Sequence, residues 1–174
     1  MQAKILALSK TKILSLIYFT GLLAVSLVAP LFHFQPITGP IVNACLFIAV
    51  SILGVQAGIM LGLLPSLIAL SVGTLPAPLA PMVPFIMASN AIMVVVFSYL
   101  KNKNFAVGII TASLLKFLFL FSTSYVVVNL ITQKSIAQKA TQMMSWPQLI
   151  TALLGGLIAF LIFKTTKKDA KVTK

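Results

Sequence analysis

Residues 105–131 read FAVGIITASLLKFLFLFSTSYVVVNLI, a run of 27 residues in which Lys116 is the only charged side chain. An apolar run of about twenty residues is long enough for a helix to cross the roughly 30 Å hydrocarbon core of a bilayer. The rest of the chain has the same character, since 60% of its 174 residues are hydrophobic and only 8% are charged. An average soluble domain has about 25% charged residues, so this composition excludes an ordinary soluble protein.

Outward from this run the sequence contains five further apolar segments, separated by prolines, turn residues and short polar stretches. It therefore predicts an all-α integral membrane protein, a bundle of six transmembrane helices in a single transmembrane domain over residues 1–174. The predicted spans are residues 13–32, 40–55, 56–72, 84–100, 105–131 and 147–163. Residues 164–174 follow as a basic tail, and residues 133–145 form a polar connector before the last span.

The lysines orient this bundle, because cytoplasmic loops of membrane proteins carry an excess of basic residues. With the N-terminus inside, ten lysines fall on the inner side and only two, Lys134 and Lys139, on the outer side. The ten inner residues are Lys4, Lys10, Lys12, Lys101, Lys103, Lys164, Lys167, Lys168, Lys171 and Lys174. We therefore expect both termini to be cytoplasmic. These lysines lie at the chain ends and in turns, as membrane topology requires. We therefore predict a lipid bilayer as their partner and no nucleic acid, despite the net charge of +12.

The inventory of reactive side chains excludes several classes of protein. The chain has one acidic side chain, Asp169, one histidine, His33, and one cysteine, Cys45. These cannot form a carboxylate pair, a three- or four-ligand metal site or an internal disulfide. The sequence also lacks the phosphate-binding motif GxxxxGK[ST] and the GxSxG motif of serine hydrolases. We therefore expect neither enzymatic activity, nor ATP hydrolysis by this chain, nor a bound metal or cofactor.

Lys116 is the first candidate functional residue. It lies eleven residues into the fifth run, which places it roughly 16 Å from the inner boundary and so near the middle of the membrane. An ionisable residue at that depth is costly and marks a functional site by default. Its amine is either uncharged or extended toward the interface, or its counter-charge comes from a ligand or another subunit. Asn90 in the fourth run reaches a similar depth, where it either serves a site beside Lys116 or joins two helices by a hydrogen bond.

A second group of polar and aromatic residues falls on segments that the lysines place toward the outside. They are candidates for the walls of a pocket for a small molecule: His33, Gln35, Asn43, Tyr125, Asn129 and Trp146. Tyr125 and Trp146 also fit the aromatic belt at a membrane interface.

Small residues form two stripes. Gly54, Gly58, Gly62 and Ser66 recur every fourth residue in the third span, which allows a close helix approach, within this bundle or with a neighbour. A weaker row in the first span consists of Gly21, Val25 and Ala29. This row is a candidate contact with another membrane subunit.

Several features of the sequence occur together in one family of membrane proteins: the size, the six spans, TGPIVNA at residues 38–44, the glycine-striped third span and LPAPLAPMVPF at residues 75–85. In these features the chain resembles the substrate-binding (S) components of energy-coupling factor (ECF) transporters. It implies a subunit of a bacterial cytoplasmic membrane that binds a vitamin or another small organic micronutrient from outside. It also implies assembly with a transmembrane coupling protein and two cytoplasmic ATPases, which supply the energy.

The resemblance also suggests roles for particular residues. In the family, a small-residue row on the first helix meets the coupling protein, and its nearest match here is Gly21, Val25 and Ala29, with valine at the central position. The chain begins Met1-Gln2-Ala3-Lys4 and lacks the N-terminal histidine motif of the metal-specific members. The leading prediction is therefore a small organic ligand with an anionic group that Lys116 neutralises. The alternative is a non-transporting membrane anchor or assembly subunit, in which Lys116 meets an acidic residue of another chain.

Overall fold

The computed structural model describes the backbone of residues 2–73, 75, 77–128 and 134–172. It describes the side chains of residues 11–73, 75, 77, 79–127, 137–138 and 141–166. The α-helices over this part of the chain are α1 (Gln2–Val28), α2 (Gln35–Ile52), α3 (Val55–Ser71), α4 (Val83–Leu100), α5 (Phe105–Val128), α6 (Lys134–Met143) and α7 (Trp146–Val172). Short 3-10 turns at Ala29–Phe32 and Ala77–Met82 precede α2 and α4. No strand occurs among these residues.

The membrane-spanning character predicted from the sequence is confirmed. Five helical segments are long and apolar enough to cross a bilayer, and α3, with 17 residues, is a shorter apolar helix. The polar connector before the last span contains the additional helix α6, which is too short and too polar to be a span. The lysine-rich residues that precede the first predicted span are part of α1, and those that follow the last predicted span are part of α7.

A glycine separates α2 from α3. The amide groups of Leu53 and Gly54 both donate to the carbonyl of Ala49, at 2.7 and 3.1 Å, and Gly54 has a φ of +93°. This backbone conformation suits glycine, which has no Cβ to clash, and it commonly ends a helix. The helix of the second span therefore ends at Ile52, whereas the predicted span continued to Val55.

The core lies where α2, α4 and α5 meet, with α3 and α7 packed on either side. Phe97 makes edge-to-face contacts with Phe47 and Phe105, with ring centroids 4.8 and 5.1 Å apart. Gly58 lies so close to α2 that a Cβ built on it would come within 2.6 Å of the Val50 side chain. Gly58 and Gly62 of the glycine stripe therefore pack inside this bundle, whereas nothing lies within 4 Å of a Cβ built on Gly54.

Candidate functional site

Lys116 lies in the middle of α5 and is buried, with 4% of its surface exposed. Its Nζ atom donates hydrogen bonds to the side-chain oxygens of Asn43, at 2.6 Å, and Asn90, at 2.8 Å. Both asparagines are themselves buried. The three residues come from α5, α2 and α4, so one polar cluster joins three helices in an otherwise apolar bundle.

The orientation of each amide follows from hydrogen-bond chemistry. A lysine ammonium has three donors and no acceptor, so each asparagine must turn its oxygen toward it. The nitrogen of Asn90 then donates to the backbone carbonyl of Gly62 in α3 at 2.8 Å. The two helices are close at Gly62, since a Cβ there would lie 3.0 Å from the Cβ of Asn90. Asn90 is therefore held from two sides, and one of the two N–H donors of its amide is used.

Several donors of the cluster have no partner among the described residues. Lys116 makes two hydrogen bonds and has a third N–H when it is protonated. Each asparagine amide has two N–H donors, and the one bond that these amides donate is from Asn90 to Gly62. Among the described side chains, the only polar atom that is both fully buried and without a partner is the hydroxyl oxygen of Ser113, so the spare donors of Asn43 are not sealed in the core. The group that would complete the cluster is a hydrogen-bond acceptor.

None of the described side chains supplies a counter-charge for Lys116. The one acidic side chain of the sequence, Asp169, is on α7, 21 residues beyond Gln148, which is roughly 31 Å along the helix axis. Gln148 lines the same cavity as Lys116, so Asp169 is far from the cluster. Among the described side chains, no group of three or more His, Cys, Asp or Glu residues could hold a metal ion.

A cavity of about 120 Å³ adjoins the cluster. Its walls come from the start of α2, the second half of α3, the first half of α4, the middle of α5 and the start of α7. The lining residues are Pro30, Gln35, Thr38, Gly39, Val42, Asn43, Pro65, Ser66, Ala69, Leu75, Ile86, Asn90, Lys116, Met143, Met144, Gln148 and Thr151. Most of the surface that lines the cavity is apolar, and Lys116 is the one charged residue among the lining residues.

Several polar side chains of this wall are already bonded to backbone. Thr38 donates to the Ala29 carbonyl at 2.9 Å, and the side-chain nitrogen of Gln148 donates to the Met143 carbonyl at 3.1 Å. Thr151 donates to the carbonyl of Gln148 at 3.2 Å. These bonds help to fix the shape of the wall, and the spare donors of the cluster are those of Lys116 and its two asparagine partners.

A larger cavity of about 420 Å³ lies beside the first, between α2, α6 and α7. The two cavities have three lining residues in common, namely Gln35, Met143 and Thr151. The larger cavity opens at the side of α7, where Ile150 and Leu154 are both exposed.

The residues predicted at the outer mouth separate into two groups. Asn43 and Gln35 line the smaller cavity together with Asn90 and Lys116. His33, Tyr125 and Trp146 are exposed and do not line it. Asn129 lies outside the described residues.

The exposed aromatic residues face away from the cavity. Tyr125 is 71% exposed and Trp146 is 66% exposed, as expected for residues of an interfacial belt. Trp146 stacks on Phe117 with their ring centroids 5.3 Å apart. In the predicted contact row on α1, Gly21 and Val25 are exposed, whereas Ala29 is buried at the start of the 3-10 turn.

From α7, the sequence prediction named Trp146 as a pocket residue and did not name the residues of this helix that form the wall. Gln148 and Thr151 both line it, and Gly155 packs directly against Asn43. These three residues are spaced three and four apart in an apolar segment, the spacing of one helix face. That stripe of polar and small residues is the signal that would have identified α7 as part of the wall.

The comparison with protein families gives one match. The model of the ECF transporter substrate-specific component matches residues 15–165, a range that includes every residue of both cavities. No curated protein and no solved structure matches the chain at a significant level.

Proposed function

Because this chain belongs to the substrate-specific components of ECF transporters, we propose that the cavity at Lys116 binds a small organic anion for import. A member of this family is a multi-pass membrane subunit that binds the substrate of a transporter and is not an enzyme. The family does not fix the identity of the substrate. The chemistry of the cavity is therefore the basis for its class.

The observation that carries the proposal is the buried amino group of Lys116, whose two partners within the described chain are both neutral amides. A buried charge is stable when it is paired and hydrogen-bonded. An anionic group in the cavity would pair with the ammonium and accept its third N–H. The same group would accept from the amide nitrogen of Asn43.

A carboxylate fits this donor set better than a larger anion does. It has two oxygens, one for Lys116 and one for Asn43, and it needs few donors. Phosphate sites in proteins are usually built from arginines or from several backbone N–H groups. The cavity is small and its walls are mainly apolar, and neither Arg nor a glycine-rich loop lines it. We therefore assign the anion to the class of small organic carboxylates, a class that includes vitamin-like molecules.

The position of the cavity supports uptake from outside. Its lining residues lie at the start of α2, the end of α3, and the starts of α4 and α7. The distribution of lysines assigns these helix ends to the outer side. We propose that the ligand enters from that side of a bacterial cytoplasmic membrane, and that a transmembrane coupling protein with two ATPase subunits drives its release inside.

The test is to purify the chain alone in mild detergent, denature it, and identify any bound small molecule by mass spectrometry. Lys116→Met removes the ammonium and keeps the length of the side chain. Lys103→Met makes the same change of charge at an exposed residue of the turn between α4 and α5. We expect a stoichiometric organic anion in the wild type and in Lys103→Met, and its loss in Lys116→Met.

Two results would contradict the proposal. One is an anion that is retained equally by the Lys116→Met protein. The other is a wild-type protein that carries no ligand and binds no member of a panel of carboxylates in calorimetric titrations. The second result would favour the membrane anchor over the transporter subunit.

A further inference from the structure

We infer that the ligand is amphipathic, with its anionic group at Lys116 and an apolar body in the neighbouring 420 Å³ cavity between α2, α6 and α7. This inference rests on the proposed function, because it assumes the anion at Lys116. It adds the chemical class of the remainder of the ligand.

The first observation is that the two cavities are adjacent. Gln35, Met143 and Thr151 line both of them, so these three side chains lie between the space near Lys116 and the larger cavity. The smaller cavity, about 120 Å³, holds the anionic end of the ligand beside Lys116. A ligand that is longer than this cavity reaches the larger one past Thr151.

The second observation is the chemistry of the larger cavity. Its apolar lining residues are Pro36, Met143, Pro147, Ile150 and Leu154. The hydroxyl of Thr151 donates to the Gln148 carbonyl, so it does not present its proton to the cavity. The remaining polar side chains, Gln35 and Gln142, carry no charge. A hydrocarbon or aromatic body gains free energy by leaving water for such walls, whereas a second charged group would be desolvated without a partner.

The experiment measures how affinity depends on the length of the apolar body. The probes are the straight-chain monocarboxylates butyrate, hexanoate, octanoate and decanoate, with palmitate as the long-chain member. Each is titrated by calorimetry into the chain in lipid nanodiscs, and the same titration into nanodiscs holding Lys116→Met is subtracted to correct for partition into lipid. We expect affinity to rise about fourfold for each added methylene, the fold-change that corresponds to ~0.8 kcal/mol per buried CH₂.

A pair of variants locates the apolar body. Leu154→Phe adds volume in the larger cavity, and Leu157→Phe makes the same substitution at an exposed residue of α7 that lines neither cavity. We expect the ratio of octanoate to butyrate affinity to fall at least tenfold in Leu154→Phe and to keep its wild-type value in Leu157→Phe. Because Leu154 is on the exposed side of α7, the larger side chain can be accommodated without disrupting the core.

The outcomes separate this inference from the proposed function. Binding that depends on Lys116 but not on chain length overturns the inference and leaves the anion site intact. A length dependence that Leu154→Phe does not change also overturns it, because the apolar body then lies elsewhere. The absence of any binding that depends on Lys116 contradicts the proposed function itself. An affinity maximum at or below decanoate identifies a water-soluble ligand, and a maximum at palmitate identifies one drawn from the bilayer.

Discussion

Gly155 of α7 lies directly against Asn43 of α2, so that a Cβ atom built on Gly155 would be 2.6 Å from the Cβ of Asn43. The same atom would be 2.7 Å from the carbonyl oxygen of Pro40 and 2.8 Å from the backbone nitrogen of Ala44. Backbone atoms of a packed helix cannot move aside in the way that the end of a flexible side chain can. Gly155 therefore sets the separation of α2 and α7, and with it the position of the amide that accepts from Lys116.

The first prediction follows from this contact. Gly155→Ala forces α2 and α7 apart and moves Asn43 relative to Lys116. Overpacking of this kind typically costs about 1–3 kcal/mol. We expect the free energy of unfolding to fall by that amount, and anion affinity to fall at least tenfold. Thermal unfolding in detergent and calorimetric titration measure the two effects.

Gly21→Ala is the matched control, because nothing lies within 4 Å of a Cβ built at Gly21. Alanine has a higher helix propensity than glycine by about 1 kcal/mol, so this variant should be as stable as the wild type or more so. Equal losses in the two variants would contradict the role given to Gly155.

The second prediction concerns the missing counter-charge. Asn43→Asp keeps the shape of the side chain and puts a carboxylate oxygen where the amide oxygen now lies, 2.6 Å from the Nζ of Lys116. The ammonium then has an anion within the chain, and the introduced carboxylate repels the anion of the ligand and competes with it for Lys116. We expect anion affinity to fall at least tenfold in calorimetric titrations, with a folded protein of wild-type stability or higher.

Asn102→Asp gives the same change of charge at an exposed residue in the turn between α4 and α5. It should leave anion affinity at the wild-type value. An Asn43→Asp protein that binds the anion as tightly as Asn102→Asp does would show that the ligand is not the partner of Lys116.

The third prediction concerns a helix end outside the site. Lys101 follows α4, and its Nζ donates to the carbonyl of Val50 in the last turn of α2 at 2.6 Å. The last carbonyls of a helix lack partners within the helix, and a cation there is favourable. Lys101→Met should lower stability by about 1 kcal/mol, whereas Lys103→Met, at an exposed neighbour, should change it by less than about 0.5 kcal/mol. Unfolding temperatures that match in the two variants would rule out this contact as a source of stability.

The fourth prediction concerns Ser113, one turn before Lys116. Its side chain is 0% exposed, and its hydroxyl has no hydrogen-bond partner within the described chain. A buried polar group without a partner costs about 1–3 kcal/mol, so Ser113→Ala should raise the free energy of unfolding by about 1 kcal/mol or more. Ser122→Ala, at an exposed residue of the same helix, should have little effect. Loss of stability in Ser113→Ala would indicate that the hydroxyl is bonded in the native protein.

The membrane bundle was predictable because hydropathy is a local property of the sequence. Each span is recognisable from about twenty consecutive residues, and the depth of Lys116 follows from its place in one run. The same reasoning found that Asn90 lies at a similar depth, and the two residues are hydrogen-bonded. Depth along the membrane can be read from the rise per residue alone.

Rotation of the helices about their axes could not be read in this way. Asn43 was predicted at the outer mouth, and it contacts Lys116 directly because Gly155 allows α7 to press against α2 at that residue. The contribution of Gln148 was missed for the same reason, since it depends on which face α7 turns inward. Within the polar connector, α6 was not predicted as a helix, and the structure packs it against α5 and α7.

The pairing of Lys116 with two neutral amides also has a consequence for the abundance of this subunit in a cell. A ligand that binds only the folded state stabilises it by an amount that grows with its concentration, about 2.7 kcal/mol at a hundred times the dissociation constant. An anion that completes the cluster at Lys116 would therefore protect the subunit from unfolding and proteolysis. Abundance of the subunit would then follow the external supply of its own ligand, with no transcriptional regulator required.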